Sequence, residues 1–116
     1  MRHRKSKVTL DRKTGPRKAL LKNLSEALVL YEKIRTTEAK AKATKPLVEK
    51  IINLGKKGDL ASRRRLVQYL FTQNSIKKTI DVLGPRYKSR TGGYVRLVRI
   101  MPRQGDGANM IQMELV

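Results

Sequence analysis

A chain of 116 residues is long enough for one domain and too short for two, and a domain of this size buries roughly 60–68% of the surface its unfolded chain exposes. Lys and Arg outnumber Asp and Glu by 28 to 9, a formal net charge of +19 that goes well beyond what solubility requires and points to an anionic partner. The absence of Cys excludes a disulfide framework and a thiolate metal site, and the apolar runs fall far short of the ~20 residues that cross a bilayer.

The first eighteen residues, MRHRKSKVTLDRKTGPRK, hold eight Lys or Arg against one acid, Asp11. After Met1 their only sizeable apolar side chains are Val8 and Leu10, too little burial to offset the entropy of ordering them. No apolar h-region follows, and the stretch lacks the amphipathic period of a transit peptide, so it reads as mature protein of the cytoplasm. The expectation is a basic extension over residues 1–14 that becomes ordered on a polyanion, with Arg2, His3, Arg4, Lys5, Lys7, Arg12 and Lys13 meeting phosphate. A single α/β domain over residues 15–116 follows it.

Leu20, Leu24, Ala27, Leu28 and Tyr31 recur at helical spacing after Thr14-Gly15-Pro16, so residues 16–31 read as an amphipathic helix with Lys18 and Lys22 facing outward. Lys33 to Thr37 is short and β-branched, a strand. Thr36 or Thr37 then caps a second helix whose buried stripe is expected at Ala39, Ala43, Leu47, Ile51 and Leu54 and which ends near Gly55 or Gly58. Pro46 removes a main-chain donor inside that helix, which predicts a kink or a split near Lys42 to Lys45. Asp59 caps a third helix through about Phe71, and Ser75 opens a fourth through Leu83 that Gly84-Pro85 closes.

Beyond Pro85 the period changes. Tyr94 to Met101 is rich in β-branched residues, and Met110 to Val116 alternates Ile111, Met113 and Leu115 against Gln112 and Glu114. The Gly-rich segment between them suits a long hairpin loop. With the strand at Ile34, these pieces predict an α+β fold: a small three-stranded sheet packed against about four helices.

No acid–base constellation accompanies this pattern. His3 is the only His, the nine acids are scattered, and neither a metal site nor a nucleophilic set has workable spacing, so no enzyme, cofactor or small-molecule substrate is expected. Glu32, Glu38 and Glu49 read as solvated helix charges. One Phe and four Tyr with no Trp are too few for a stacking platform, which leaves phosphate and shape contacts on folded nucleic acid, RNA above DNA because the cations form no single stripe. A small basic DNA-binding nucleoid or regulatory protein is the alternative.

Three stretches sharpen the RNA reading. Arg63-Arg64-Arg65 sits near the start of the third helix, where the macrodipole disfavours cations, so Arg64 and Arg65 are candidates for phosphate against the plainer reading of a solvated face. Arg35 and Thr36 end the first strand, where a cap explains the threonine without any ligand. Arg86, Tyr87, Lys88, Arg90, Gly92, Gly93, Tyr94 and Arg96 form a basic loop whose paired glycines allow close approach to a phosphate, though it also serves as a turn into the strand.

The opening Met1-Arg2-His3-Arg4, then Arg17-Lys18-Ala19, Lys33-Ile34-Arg35-Thr36-Thr37, and above all Leu83-Gly84-Pro85-Arg86-Tyr87 with Arg90, Gly92-Gly93-Tyr94 and Arg96, resemble the family of bacterial large-ribosomal-subunit proteins numbered seventeen in the L series. The resemblance covers nearly the whole chain in the same order. It implies a structural protein with a mixed α/β domain, its basic N-terminal extension seated in large-subunit ribosomal RNA, with neighbouring ribosomal proteins as further partners and no membrane.

Overall fold

The computed structural model describes residues 8–116. Among them the chain forms α1 (Thr14–Tyr31), β1 (Lys33–Thr37), α2 (Glu38–Lys57), α3 (Leu60–Tyr69), α4 (Gln73–Lys78), β2 (Val95–Ile100) and β3 (Met110–Leu115). Four helices on a three-stranded sheet make an α+β fold, as the pattern predicts. The chain turns at Thr9 to Arg12, where Leu10 and Asp11 both take positive φ, before α1 begins at Thr14.

The sheet is antiparallel in the order β1-β3-β2. Its alternation is the one legible in Met110 to Val116: the row Ile34, Met113 and Leu97 packs into the core beneath the helices. The row Lys33, Glu114 and Arg96 lies on the opposite face.

Both long helices have the expected period but a shifted phase. In α1 the core is met by Ser25, Leu28 and Val29, while Tyr31 is 74% exposed. In α2 it is met by Ala41, Thr44, Val48, Ile51, Ile52, Leu54 and Gly55, with Ala39 exposed and Ala43 and Leu47 only half-buried. The cause is common to both. Ser25 donates to the Leu21 carbonyl (2.8 Å) and Thr44 to the Lys40 carbonyl (2.7 Å), so each hydroxyl satisfies itself one turn back and the residue packs as a small core side chain.

Pro46 neither splits nor ends α2, which runs unbroken from Glu38 to Lys57. Pro46 and Lys42 are both exposed, so the carbonyl that Pro46 leaves without a donor faces water. In α3 the Asp59 carboxylate accepts the Ser62 N–H (2.8 Å), as a cap should. Leu66 and Leu70 point inward. Val67 is exposed, and Phe71, beyond the helix end, is 52% exposed with the Lys22 ammonium 4.2 Å from its ring centroid.

The fourth helix departs most from expectation. Thr72, not Ser75, opens it, its hydroxyl accepting the Ser75 N–H, while Glu26 of α1 accepts the Thr72 N–H and hydroxyl, both at 2.7 Å. Gly84-Pro85 does not close it. A π-helical turn over Thr79–Leu83 leads directly into a last helical turn, Gly84–Arg86. There the Gly84 N–H reaches back to the Thr79 carbonyl, shifting the ladder by one residue just before Pro85 would have left a gap in it.

That wider turn lies against α2 at close range. A Cβ at Gly55 would come within 2.6 Å of the Thr79 methyl and 2.7 Å of its carbonyl oxygen, and a Cβ at Gly84 within 2.6 Å of the Gly55 oxygen. Only hydrogen fits at either position. Gly92, by contrast, has open space around it and no positive φ.

Gly55→Ala should therefore lower stability by about 1–3 kcal/mol in urea unfolding, overpacking outweighing the better helix propensity of alanine. Gly92→Ala should stay within about 0.5 kcal/mol of the parent. Equal effects from the two would show that the crossing is not tight.

Candidate nucleic-acid interface

Several carboxylates tie one part of the fold to another, and others brace their own helix or loop. Glu32, at the end of α1 in the left-handed conformation, pairs with Arg86 and lies 3.8 Å from Lys78. Glu38 pairs with Lys42 (3.0 Å) and approaches Arg99 (3.7 Å), Glu114 with Arg96 (2.5 Å), and Asp106 with Arg103 (2.6 Å). Glu32 and Glu38 are thus paired groups, not free helix charges.

The ionised forms are favoured accordingly. The Arg86 hydrogen bond holds Glu32 below its ordinary value, the Lys42 hydrogen bond does so for Glu38 and the Arg96 hydrogen bond for Glu114. Burial acts to raise Glu26, but the hydrogen bonds from Thr72 and Ser75 outweigh it and leave that carboxyl low. Asp106 is held down to about 2 by Arg103 and the Ala108 N–H.

Most of the cations stand outside these pairs, as do Asp11, Glu49 and Asp81 among the described residues. Arg63, Arg64 and Arg65 are all exposed on α3, with no carboxylate within 4 Å among the described residues. Lys18 is exposed on α1, one turn before the half-buried Lys22, and Arg12 and Lys13 are exposed just ahead of the helix. Arg12 also donates to the Leu10 carbonyl (2.7 Å), holding the turn there. Arg17 is half-buried, and Arg35 lies on the outer sheet face beside Gln112. Arg2, His3, Arg4, Lys5 and Lys7 lie outside the described residues.

The loop between the last helical turn and β2 is held from below. Tyr87 is 3% exposed and donates to the Val116 carbonyl (2.6 Å), while Tyr94 is fully buried and donates to Asn53 Oδ1 (2.7 Å). The two rings pack 5.1 Å apart. Lys56 of α2 reaches the Arg90 carbonyl (2.5 Å) and Tyr94 Oη (2.9 Å), pinning the loop backbone. Gly93 has φ +66°, which accounts for a glycine there; no contact within the chain accounts for Gly92.

This separates these residues expected at the interface into three sets. Lys88, Arg90, Gly92 and Gly93 are exposed together on a fixed backbone. Tyr87 and Tyr94 are core, and so is Thr36, whose side chain is buried in the sheet opposite Ile111; these three hold the surface up from within. Arg86 and Arg96 are at the surface but already carry a carboxylate. Sequence reasoning missed Asn53 and Lys56, which fix the loop; three apart on α2, they share its polar face, but nothing in their spacing names a partner in residues 90–94.

Among the described residues no three His, Cys, Asp or Glu side chains converge, and no helix is long and apolar enough to cross a membrane. The geometry is that of a rigid frame showing cations on several faces.

A family model described as Ribosomal protein L17 matches residues 20–116. The Large ribosomal subunit protein bL17 of Dehalococcoides mccartyi is 45% identical over 116 residues, spanning all of this chain and 99% of its own. The protein of that name from Acidobacterium capsulatum is 46% identical over all of this chain and 72% of its own, and that from Desulfitobacterium hafniense 45% identical over 92% of this chain and 96% of its own.

The carboxylate ties predict an acid limb. A carboxyl with a lowered folded-state pKa stabilises fully above its unfolded value, 4.5 for Glu, and loses that contribution as pH falls through the lower folded value. The melting temperature should be flat from pH 7 to about 5 and fall below about 4.5, and Glu26→Gln should lower it at pH 7 while shrinking the drop on acidification. A Glu26→Gln protein with an unchanged acid limb would remove Glu26 from the tie.

Proposed function

Because the chain belongs to the Ribosomal protein L17 family, we propose that it is a structural, non-catalytic component of the bacterial large ribosomal subunit that binds folded ribosomal RNA in the cytoplasm. The observation that carries this reading is the division of charge: several acids tie the fold together, and exposed cations remain on α1, α3 and the 87–94 loop. Such a protein meets phosphates on more than one side, which suits RNA folded around it better than one groove of a duplex.

In this reading Lys18, Arg64, Arg65, Lys88 and Arg90 contact phosphate, and Gly92 lets the backbone approach closely. The extension, with Arg2, Arg4, Lys5, Lys7, Arg12 and Lys13, becomes ordered on the RNA and releases counterions as it does. Neighbouring large-subunit proteins complete its surroundings, and assembly of the subunit is the process it supports.

Affinity for large-subunit RNA should fall steeply with monovalent salt, the slope growing by roughly 0.7–0.9 for each phosphate neutralised. Removing residues 2–13 should flatten the slope while leaving helical circular dichroism largely intact. Sedimentation tests the wider reading: the chain should travel with the large subunit in Mg²⁺ and be released when the RNA unfolds. Travel with the nucleoid would instead favour a DNA-binding role.

Two loop variants separate binding from architecture. Arg90→Ala should leave stability within about 0.5 kcal/mol, since only its backbone is used by the fold, yet weaken RNA binding. Gly93→Val should harm both, because a β-branched residue is strained at φ +66°. RNA affinity and salt slope unchanged in Arg90→Ala would reduce the loop to a connector.

A further inference from the structure

Where α1, α2 and α3 meet, a cleft of about 380 Å³ opens to solvent, lined by Lys18, Leu21, Lys22, Leu47, Gln68 and Tyr69. Its walls are of two kinds. Leu21, Leu47 and the Tyr69 ring make an apolar floor with one aromatic surface, all three half-buried. Lys18 and Lys22 from α1 and Gln68 from α3 stand at the rim, and the Lys50 ammonium lies 5.4 Å from the Tyr69 ring centroid. No acid lines it.

We propose that this cleft takes a single unpaired nucleotide of the bound RNA, its base lying on the Tyr69 and Leu47 surface and its phosphates on Lys18 and Lys22. The proposal deepens the RNA-binding reading and rests on it. Three features of the cleft select this occupant. An apolar and aromatic floor with few polar groups suits the face of a base, and the volume is at the lower end of that of small-molecule sites, room for one nucleoside and not for a stacked run. The Gln68 amide carries both a donor and an acceptor, the pair needed to read a base edge. The ammonium groups around the mouth complement a phosphodiester; an apolar side chain of a neighbouring protein would fill the floor and leave them without a counter-charge.

The same features set this cleft apart from the one at the start of α2, where the Glu38 carboxylate lines the wall and opposes an anion. Within the cleft one ring, Tyr69, serves one base, and the remainder of the interface works on phosphate.

Filling the cleft tests this. Leu47→Trp places an indole where the base would lie without removing a cation, and Gln68→Trp, at an exposed rim position, does the same from outside should Leu47→Trp disturb the fold by circular dichroism. Titrated with large-subunit ribosomal RNA across a salt series, each folded variant should bind about tenfold more weakly than the parent with an unchanged salt slope, since stacking is lost and phosphate contacts are kept. Lys18→Ala with Lys22→Ala should instead lower the slope. Affinity within twofold of the parent in the Trp variants would overturn the proposal, and so would a weaker affinity with a flattened slope, which reports phosphate alone. Unchanged RNA affinity with lost retention in assembled subunits would assign the cleft to a protein neighbour and also overturn it. A parent chain whose binding to this RNA is not salt-dependent would fail at the earlier reading, before the cleft is in question.

Discussion

Two glycines and a threonine decide where the second half of this molecule can sit. Gly55 of α2 and Gly84 of the last helical turn come together with Thr79 so closely that a methyl group at either glycine would overlap backbone atoms. Interiors are close-packed and do not yield evenly to such an overlap, so the helical run after Thr72 has one seat against α2. The π-helical turn belongs to the same arrangement. It widens the helix at Thr79, brings Gly84 against Gly55 and carries the chain through Pro85 to deliver Tyr87 to the core. From there the Tyr87 and Tyr94 pair, with Asn53 and Lys56 reaching from α2, sets the loop that displays Lys88 and Arg90.

Charge works on top of this frame in a consistent direction. A net charge of +19 pushes a small fold apart, and four of the nine acids link elements distant in sequence: Glu26 joins α1 to the start of α4, Glu32 joins α1 to Arg86, Glu38 joins α2 to Arg99 on β2, and Glu114 joins β3 to Arg96 on β2. Exposed pairs of this kind contribute little singly. Their effect is to take up local repulsion inside the fold and leave the remaining cations at the surface, where in the proposed reading RNA phosphates balance them. Stability and binding are then coupled, because anything that neutralises the surface also relieves the frame.

The legible parts of the sequence are those where one rule decides. The alternation from Met110 to Val116 and the β-branched Lys33 to Thr37 can bury only one face, and both form strands as read, the first central in the sheet and the second at an edge. Helix periods were legible, their phase was not, since a hydropathy reading places Ser25, Thr44 and Thr79 outside while a bond to the carbonyl four residues back lets each pass as core. Gly84-Pro85 reads locally as a stop, and only the tertiary contact at Gly55 turns it into a continuation. Likewise the basic loop was visible as a binding candidate, but not that its two tyrosines face inward, because an aromatic beside cations looks the same in sequence whether it faces a base or a helix.

That inward placement bears on how such a surface works. A loop of Gly, Ser, Lys and Arg would lose considerable entropy on binding if it were free, roughly 1–2 kcal/mol for each residue fixed. Here the backbone is tied before any partner arrives, through the Arg90 carbonyl held by Lys56 and through Tyr94 immediately before β2. Ordering costs are met during folding by the core the tyrosines build, and binding is left to order side chains alone. The N-terminal extension has no comparable apolar content, and in the proposed reading RNA itself supplies its order. In that reading one chain combines a preorganised surface with a tail whose affinity is almost wholly electrostatic. The difference between the two follows from whether residues such as Tyr87 and Tyr94 are there to be buried.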